Sequence, residues 1–326
     1  MELYSLKFNP ILTPRIWGGN EICKFKNLDL CESGIGESWE ISDVRGSESV
    51  VANGELCGKH LSELIEEFKT DLVGKHIYER FGNKFPLLVK FIDASNDLSI
   101  QVHPDDKLAM ERHNSFGKTE MWYVVKAKEG AGLYSGFSTE ITPDEYVERV
   151  EKNTFMDVLK RYEVEAGDVF FLPAGRVHAI GSGLFVAEIQ QTSDVTYRIY
   201  DYNRRDKEGN SRELHTELAK EAIDYSVKED YKTYYKEEKD VPVELADCKY
   251  FHTNLLELEK PVERDYSDLD SFVIFMNLKG ECVITDNNGN KTELKRGETV
   301  LIPSVLNHVN IDLKSEDIKL LEIYIP

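Results

Sequence analysis

Apolar residues in this chain fall in short runs rather than long periodic stretches. Phe85–Ile92 (FPLLVKFI), Met121–Lys126 (MWYVVK), Val169–Leu172, Leu184–Gln190 (LFVAEIQ), Ser271–Met276, Thr299–Pro303 and Ile318–Ile325 are rich in β-branched and aromatic residues. Gly, Asn and Asp clusters bound several of them, which predicts strands joined by tight turns. Asn287-Asn288-Gly289-Asn290 is a hairpin signal, because Asn and Gly adopt the positive φ of such a turn at least cost. Helical spacing is rarer. Leu61, Leu64, Ile65 and Phe68 share one face of a helix predicted over 60–81. Thr142-Pro143-Asp144-Glu145 supplies an N-cap, a proline in the first turn and a capping-box carboxylate ahead of Tyr146, Val147 and Val150. A third helix is predicted from Ser211 to about Val227, and the charged, Tyr-rich stretch 228–239 reads as a solvated connection.

One pattern recurs. Gly167, Pro173 and His178 have counterparts in Gly297, Pro303 and His308, all offset by 130 residues, and each set is followed by an apolar run, Leu184–Gln190 or Ile318–Ile325. A repeated strand–turn–strand unit predicts a mainly β chain of two barrels or sandwiches packed together. The expected division is 1–240, with the helical segments, and 241–326.

Charge narrows the partners. Lys and Arg number 40 against 60 Asp and Glu, a net charge of -20. Such a field repels nucleic acid, and it repels an anionic substrate too. A phosphate site therefore has to be a local cluster of Lys and Arg. No apolar run approaches the roughly 18–20 residues that cross a membrane. Met1-Glu2-Leu3-Tyr4-Ser5-Leu6 lacks the features of a signal peptide, so a cytoplasmic protein is expected. Cys23, Cys31, Cys57, Cys248 and Cys282 are odd in number and form no CxxC pair. They are expected to be buried, reduced thiols.

Candidate chemistry lies in three segments. Gln101 and His103 are two apart in the strand-like Leu98–Pro104 (LSIQVHP), so their side chains share one face. Lys118 and Glu120 are related in the same way in Gly117–Trp122 (GKTEMW), and His178 follows the turn after Pro173. Imidazole and carboxylate together suit zinc, and also iron, manganese or cobalt. Each residue taken alone reads equally as a satisfied core or surface group.

These three segments, with Pro173–Ile180 (PAGRVHAI) completing the third, resemble the metal-site motifs of type I mannose-6-phosphate isomerases. Arg15–Gly19 (RIWGG), Glu37–Ser42 (ESWEIS), Phe85–Ile92 and Glu188–Arg198 (EIQQTSDVTYR) fit the same family in order along the chain. The resemblance implies a double cupin with a helical insertion, small here because the chain is short. It implies interconversion of mannose 6-phosphate and fructose 6-phosphate with one bound metal, usually zinc, other divalent ions remaining open. The implied ligands are Gln101, His103, Glu120 and His178, the amide of Gln101 either ligating or orienting water. Lys90, Lys118 and Arg198 are implied to line the pocket, with Ser99 near the phosphate and Asp194 beside Arg198. Arg198, Lys118 and Asp194 are the catalytic candidates, and the identity of the base stays open. The stretch SDVTYRIYD departs from the longer family members and matches a short bacterial form. In the second unit His308 takes the histidine slot, but Asp270-Ser-Phe-Val-Ile-Phe offers no carboxylate strand, so that unit is expected to be metal-free. Trp17 and Trp39 are expected in the core. His60, His76, His113, His215 and His252 are expected to be surface or structural. Two other functions stay open: an iron-dependent cupin dioxygenase and a sugar-phosphate-binding regulator without turnover. A monomer or weak homodimer is expected.

Overall fold

The short apolar runs pair into four main antiparallel sheets in a computed structural model that describes residues 2–29, 32–205 and 208–326. A seven-stranded sheet runs in the order Lys232–Thr233, Val169–Leu172, Glu120–Ala127, Leu184–Gln191, Leu87–Ala94, Ile35–Ile41, Ile11–Gly19. A five-stranded sheet runs Leu159–Glu163, Gly132–Phe137, His178–Ile180, Ile100–Val102, Tyr197–Tyr200. Trp122, Val124, Phe170 and Val186 from the first meet Leu133 and Ile180 from the second in one buried core. The chain is thus mainly β and of jelly-roll, cupin type.

The repeat seen in the sequence is a repeat of topology. Val169–Leu172 pairs with Glu120–Ala127, which pairs with Leu184–Gln191. Thr299–Ile302, Val273–Lys279 and Ile318–Tyr324 pair in the same way in a six-stranded sheet. A four-stranded sheet of Val262–Asp265, His308–Leu313, Glu281–Asp286 and Lys291–Lys295 covers it. The edge of the six-stranded sheet is Leu6–Lys7, with Leu6 opposite Leu301.

Periodicity explains why the central strands read as continuous apolar runs. All eight residues of Leu184–Gln191 are buried. Leu184 and Val186 face the core of their own jelly roll, whereas Phe185, Ala187 and Ile189 face the second unit. Ile274, Met276, Leu321 and Ile323 come from the opposite side into that shared layer. A strand buried on both faces loses the usual alternation.

The helices are shorter than predicted, except the one begun by Thr142. There Thr142 and Glu145 form a reciprocal capping box on Pro143–Glu151, with Tyr146 buried. The stretch 60–81 is three helices, Leu61–Phe68, Thr70–Val73 and Lys75–Phe81. It breaks where Lys69 and Gly74 take φ of 49° and 96°. The third helix is only Thr216–Ala222, because Arg212 is held by Asp201 and the His215 N–H donates to the Arg198 carbonyl. The stretch 228–239 is largely exposed, as expected, but it is also docked at three points. Tyr231 is buried, Lys232–Thr233 extends the seven-stranded sheet, and the Tyr235 hydroxyl donates to the Gly167 carbonyl at 2.8 Å. The expectation of reduced, buried thiols holds in part. Cys57, Cys248 and Cys282 are free, of which Cys282 is buried and Cys57 exposed, whereas Cys23 is disulfide-bonded and Cys31 lies outside the described residues.

In the second unit Glu322 holds the place that Glu188 holds in the first. Glu188 is flanked across the strands by Lys90 and Trp122, and Glu322 by Asn254 and Phe275. The fully buried Glu322 binds the Arg264 guanidinium at 2.8 and 3.1 Å, accepts from Asn254, and takes the Tyr266 hydroxyl. Every oxygen is used inside the protein. Glu322→Ala is expected to cost about 3 kcal/mol by leaving Arg264 unpaired. A lowered urea midpoint with unchanged metal content would be the result.

Candidate metal centre and the cavity beside it

His103 follows the strand Ile100–Val102, and His178 opens the adjacent strand His178–Ile180. Glu120 opens its own strand in the facing sheet, opposite Leu172 and Gln190. These three side chains converge, with potential ligand atoms all within 4.8 Å of one another. All three are about 1% exposed, which places the group deep in the sandwich.

Each imidazole is oriented by its far nitrogen. His103 Nδ1 lies 3.0 Å from the Val195 carbonyl, and His178 Nδ1 lies 2.8 Å from the Arg176 carbonyl. Both Nε2 atoms then point at Glu120, at 3.6 Å from His103 and 3.4 Å from His178. Those two nitrogens and the Glu120 oxygens find no hydrogen-bond partner. Burial drives both imidazoles down, His178 to about 4 and His103 well below its ordinary value, so each is neutral and offers a lone pair. Burial pushes Glu120 up to about 7 despite the pull of Lys118. Unpaired buried polar atoms of this kind are costly, and two imidazoles fixed through Nδ1 with one carboxylate match the donor set of a divalent metal. His103, Glu120 and His178 therefore fit a metal ion.

A cavity of about 440 Å³ lies beside the triad. Its lining includes Lys90, Ser99, Gln101, Lys118, Asp194 and Arg198. The triad itself does not line it. Lys118 makes the link, with Nζ 3.2 Å from Glu120 Oε2. Burial lowers Lys118, but Glu120 and Glu188 outweigh it and hold the ammonium above its ordinary range. Gln101 stands opposite both His178 and Arg198 across the strands.

Several cavity residues escaped the sequence reading. Glu188 accepts from Lys90 at 3.0 Å and from Trp122 Nε1 at 3.0 Å. Against the cost of burial, Lys90 and Lys118 hold its carboxyl down at about 2. A carboxylate in the middle of the apolar run LFVAEIQ was the available signal, since a buried charge requires a partner. Trp17 and Trp39 are buried as expected, yet both line the cavity, with Lys90 Nζ 5.1 Å from the Trp39 ring. Glu37 and Arg15, paired at 2.7 Å, complete that wall.

The far end differs in charge. Arg198 and Arg212 line it, and Arg212 and Arg204 both bind the single carboxylate of Asp201. Arg198 donates to the Glu213 carbonyl at 2.9 Å, its Nε is buried without a partner, and its backbone N–H donates to His215 Nδ1. Among the described residues, neither Asp194 nor Asp201 pairs with Arg198 within 4.0 Å. Asp194 is exposed at the cavity edge. In the second unit, Val273 stands where Glu120 stands in the first, and His308 is half-exposed 3.5 Å from Asp265. Glu244, Asp247 and His252 form another group of possible ligands at the surface, but both His252 nitrogens already have partners, Asp247 and Asn254.

Comparison with known proteins agrees with this geometry. The family model for the phosphomannose isomerase type I catalytic domain matches residues 6–129. The mannose-6-phosphate isomerase ManA of Bacillus subtilis is 37% identical over 255 residues, 77% of this chain and 78% of that protein. The chain belongs to the type I phosphomannose isomerase family. A mannose-6-phosphate isomerase of Streptococcus mutans is 41% identical over 207 residues, 62% of each chain. The crystal structure of the mannose 6-phosphate isomerase from Bacillus subtilis superposes on this family member with a TM-score of 0.88 at 30% identity, covering 99% of both chains. A Salmonella typhimurium phosphomannose isomerase, at 15% identity and a TM-score of 0.79, shares the fold.

Proposed function

We propose that this chain interconverts mannose 6-phosphate and fructose 6-phosphate through a cis-enediol, using one zinc or other divalent ion held by His103, Glu120, His178 and Gln101. One observation carries the reading: two buried imidazole Nε2 atoms without hydrogen-bond partners face a buried carboxylate, whose one ion-pair partner is Lys118, beside a cation-lined cavity. The mannose-6-phosphate isomerases of Bacillus subtilis and Streptococcus mutans to which the chain is similar support it.

Charge accounting gives the substrate a direction. At the triad end the cations are matched, Lys118 with Glu120, Lys90 with Glu188 and Arg15 with Glu37. At the other end Arg204 and Arg212 share Asp201, and Arg198 has no carboxylate of its own within 4.0 Å among the described residues. The phosphate binds at Arg198, with Ser99 nearby, and the C1–C2 end lies toward Lys118. A divalent ion held by His103, Glu120, His178 and Gln101 would supply Lewis acidity toward the sugar carbonyl. Lys118 offers a proton and a positive charge to the developing oxyanion. Lys90 and Glu188 fix the wall against which the sugar lies. The proton-transfer base comes from the cavity carboxylates, Asp194, Glu188 and Glu37. Such a fixed cationic end is not required of a cupin dioxygenase.

The catalytic unit is 1–240 and the degenerate cupin 241–326. We place the protein in the cytoplasm as a monomer or weak homodimer without nucleic-acid partners. Its net charge of -20 disfavours nucleic acid, and among the described residues no helix is long and apolar enough to cross a membrane. The test is product identification: purified protein incubated with fructose 6-phosphate should yield mannose 6-phosphate, read by NMR. No conversion by metal-replete protein would refute the proposal.

A further inference from the structure

The metal-site strand is tied to the second cupin through one chain of hydrogen bonds. Tyr250 lies at the turn between the strands Val243–Cys248 and Phe251–Leu258 of the six-stranded sheet. Its hydroxyl donates to Asp106 Oδ2 at 2.5 Å. The other oxygen, Oδ1, accepts from the Gly117 N–H at 3.0 Å and from Gln191 Nε2 at 2.9 Å. Gln191 Oε1 in turn accepts from the Thr119 N–H at 2.9 Å, and the Gln191 N–H donates to the Thr119 carbonyl. Thr119 is the residue between Lys118 and Glu120. Its hydroxyl also accepts from the Ala174 N–H in the turn that leads to His178. Thr119 and Gln191 are buried. Gly117 is held close as well: a Cβ there would come within 2.5 Å of the Asp106 backbone nitrogen.

We infer that Tyr250 is a positioning residue for the metal centre, so that the second cupin sets the geometry of a site to which it contributes no ligand. Tyr250 fixes the rotamer of Asp106. Asp106 sets where the segment 117–119 enters its strand, and Gln191 locks Thr119 between the ammonium of Lys118 and the carboxylate of Glu120. Outer partners of metal ligands commonly govern affinity as well as activity. The inference rests on the proposed metal reading of the triad.

The experiment compares Tyr250→Phe and Asp106→Asn with an interface control, Asp270→Ala. Asp270 also joins the two halves, accepting from the Lys75 and His76 N–H groups at 2.6 and 2.9 Å, without touching the metal strand. Zinc affinity is measured on full-length protein by competition with a chromophoric chelator, alongside kcat, KM and Tm. Tyr250→Phe and Asp106→Asn should each weaken zinc binding about tenfold and lower kcat with little change in KM. The double variant should be no worse than Asp106→Asn, because both act on one path. Asp270→Ala should lower Tm while keeping wild-type zinc affinity. Wild-type zinc affinity in Tyr250→Phe, or an equal loss in Asp270→Ala, would overturn the inference while leaving the metal site intact. Failure of the wild-type protein to bind zinc or another divalent ion would instead remove the reading beneath it.

Discussion

Stripping the divalent metal, or replacing His178 by alanine, should lower turnover by roughly two to three orders of magnitude. The estimate follows from the several kcal/mol that carbonyl polarisation by a metal contributes to the transition state. Lys118, 3.2 Å from Glu120, is a single charge and leaves His103 Nε2 and His178 Nε2 without a hydrogen-bond partner. Added zinc should restore the stripped wild-type protein. It should not restore His178→Ala, which lacks a ligand. Metal content by mass spectrometry of the native protein and kcat on fructose 6-phosphate are the two measurements. Full turnover by a protein free of detectable metal would contradict the mechanism.

The second large effect concerns Arg198. Arg198→Ala should cut kcat/KM by about 2–5 kcal/mol, the loss expected when one partner of a desolvated charge pair is truncated. That is roughly 30- to 5,000-fold. Stability should change little. The guanidinium makes one bond to the Glu213 carbonyl, and its Nε is left without a partner. Steady-state kinetics with a parallel thermal melt would separate the two. A melting temperature that falls in proportion to activity would make Arg198 a structural residue.

Much of this molecule could be read from its residues before any coordinates. The strands announced themselves because their apolar side chains serve two cores at once, as in Leu184–Gln191. The spacing of Gln101 with His103 and of Lys118 with Glu120 put each pair on one strand face, and two of those four residues join His178 in the triad. Other features depend on distant partners that no local pattern encodes. Arg212 looked like the first turn of a helix, but Asp201 draws it to the cavity. Lys69 sat inside a continuous apolar stripe, yet its positive φ ends one helix and starts another. Lys90 and Glu188 each stand inside an apolar run, and their pairing across the sheet accounts for both.

The pairing of Leu6 with Leu301 has a consequence for the chain as it is made. A ribosome adding about 5–20 residues per second needs roughly 15–60 s to travel between those two positions. Throughout that interval the first strand is held only from its other side, by Val50, Ala52 and Asn53. The edge it will give to the second sheet therefore stays open until synthesis is nearly finished, which is when chaperone occupancy should fall.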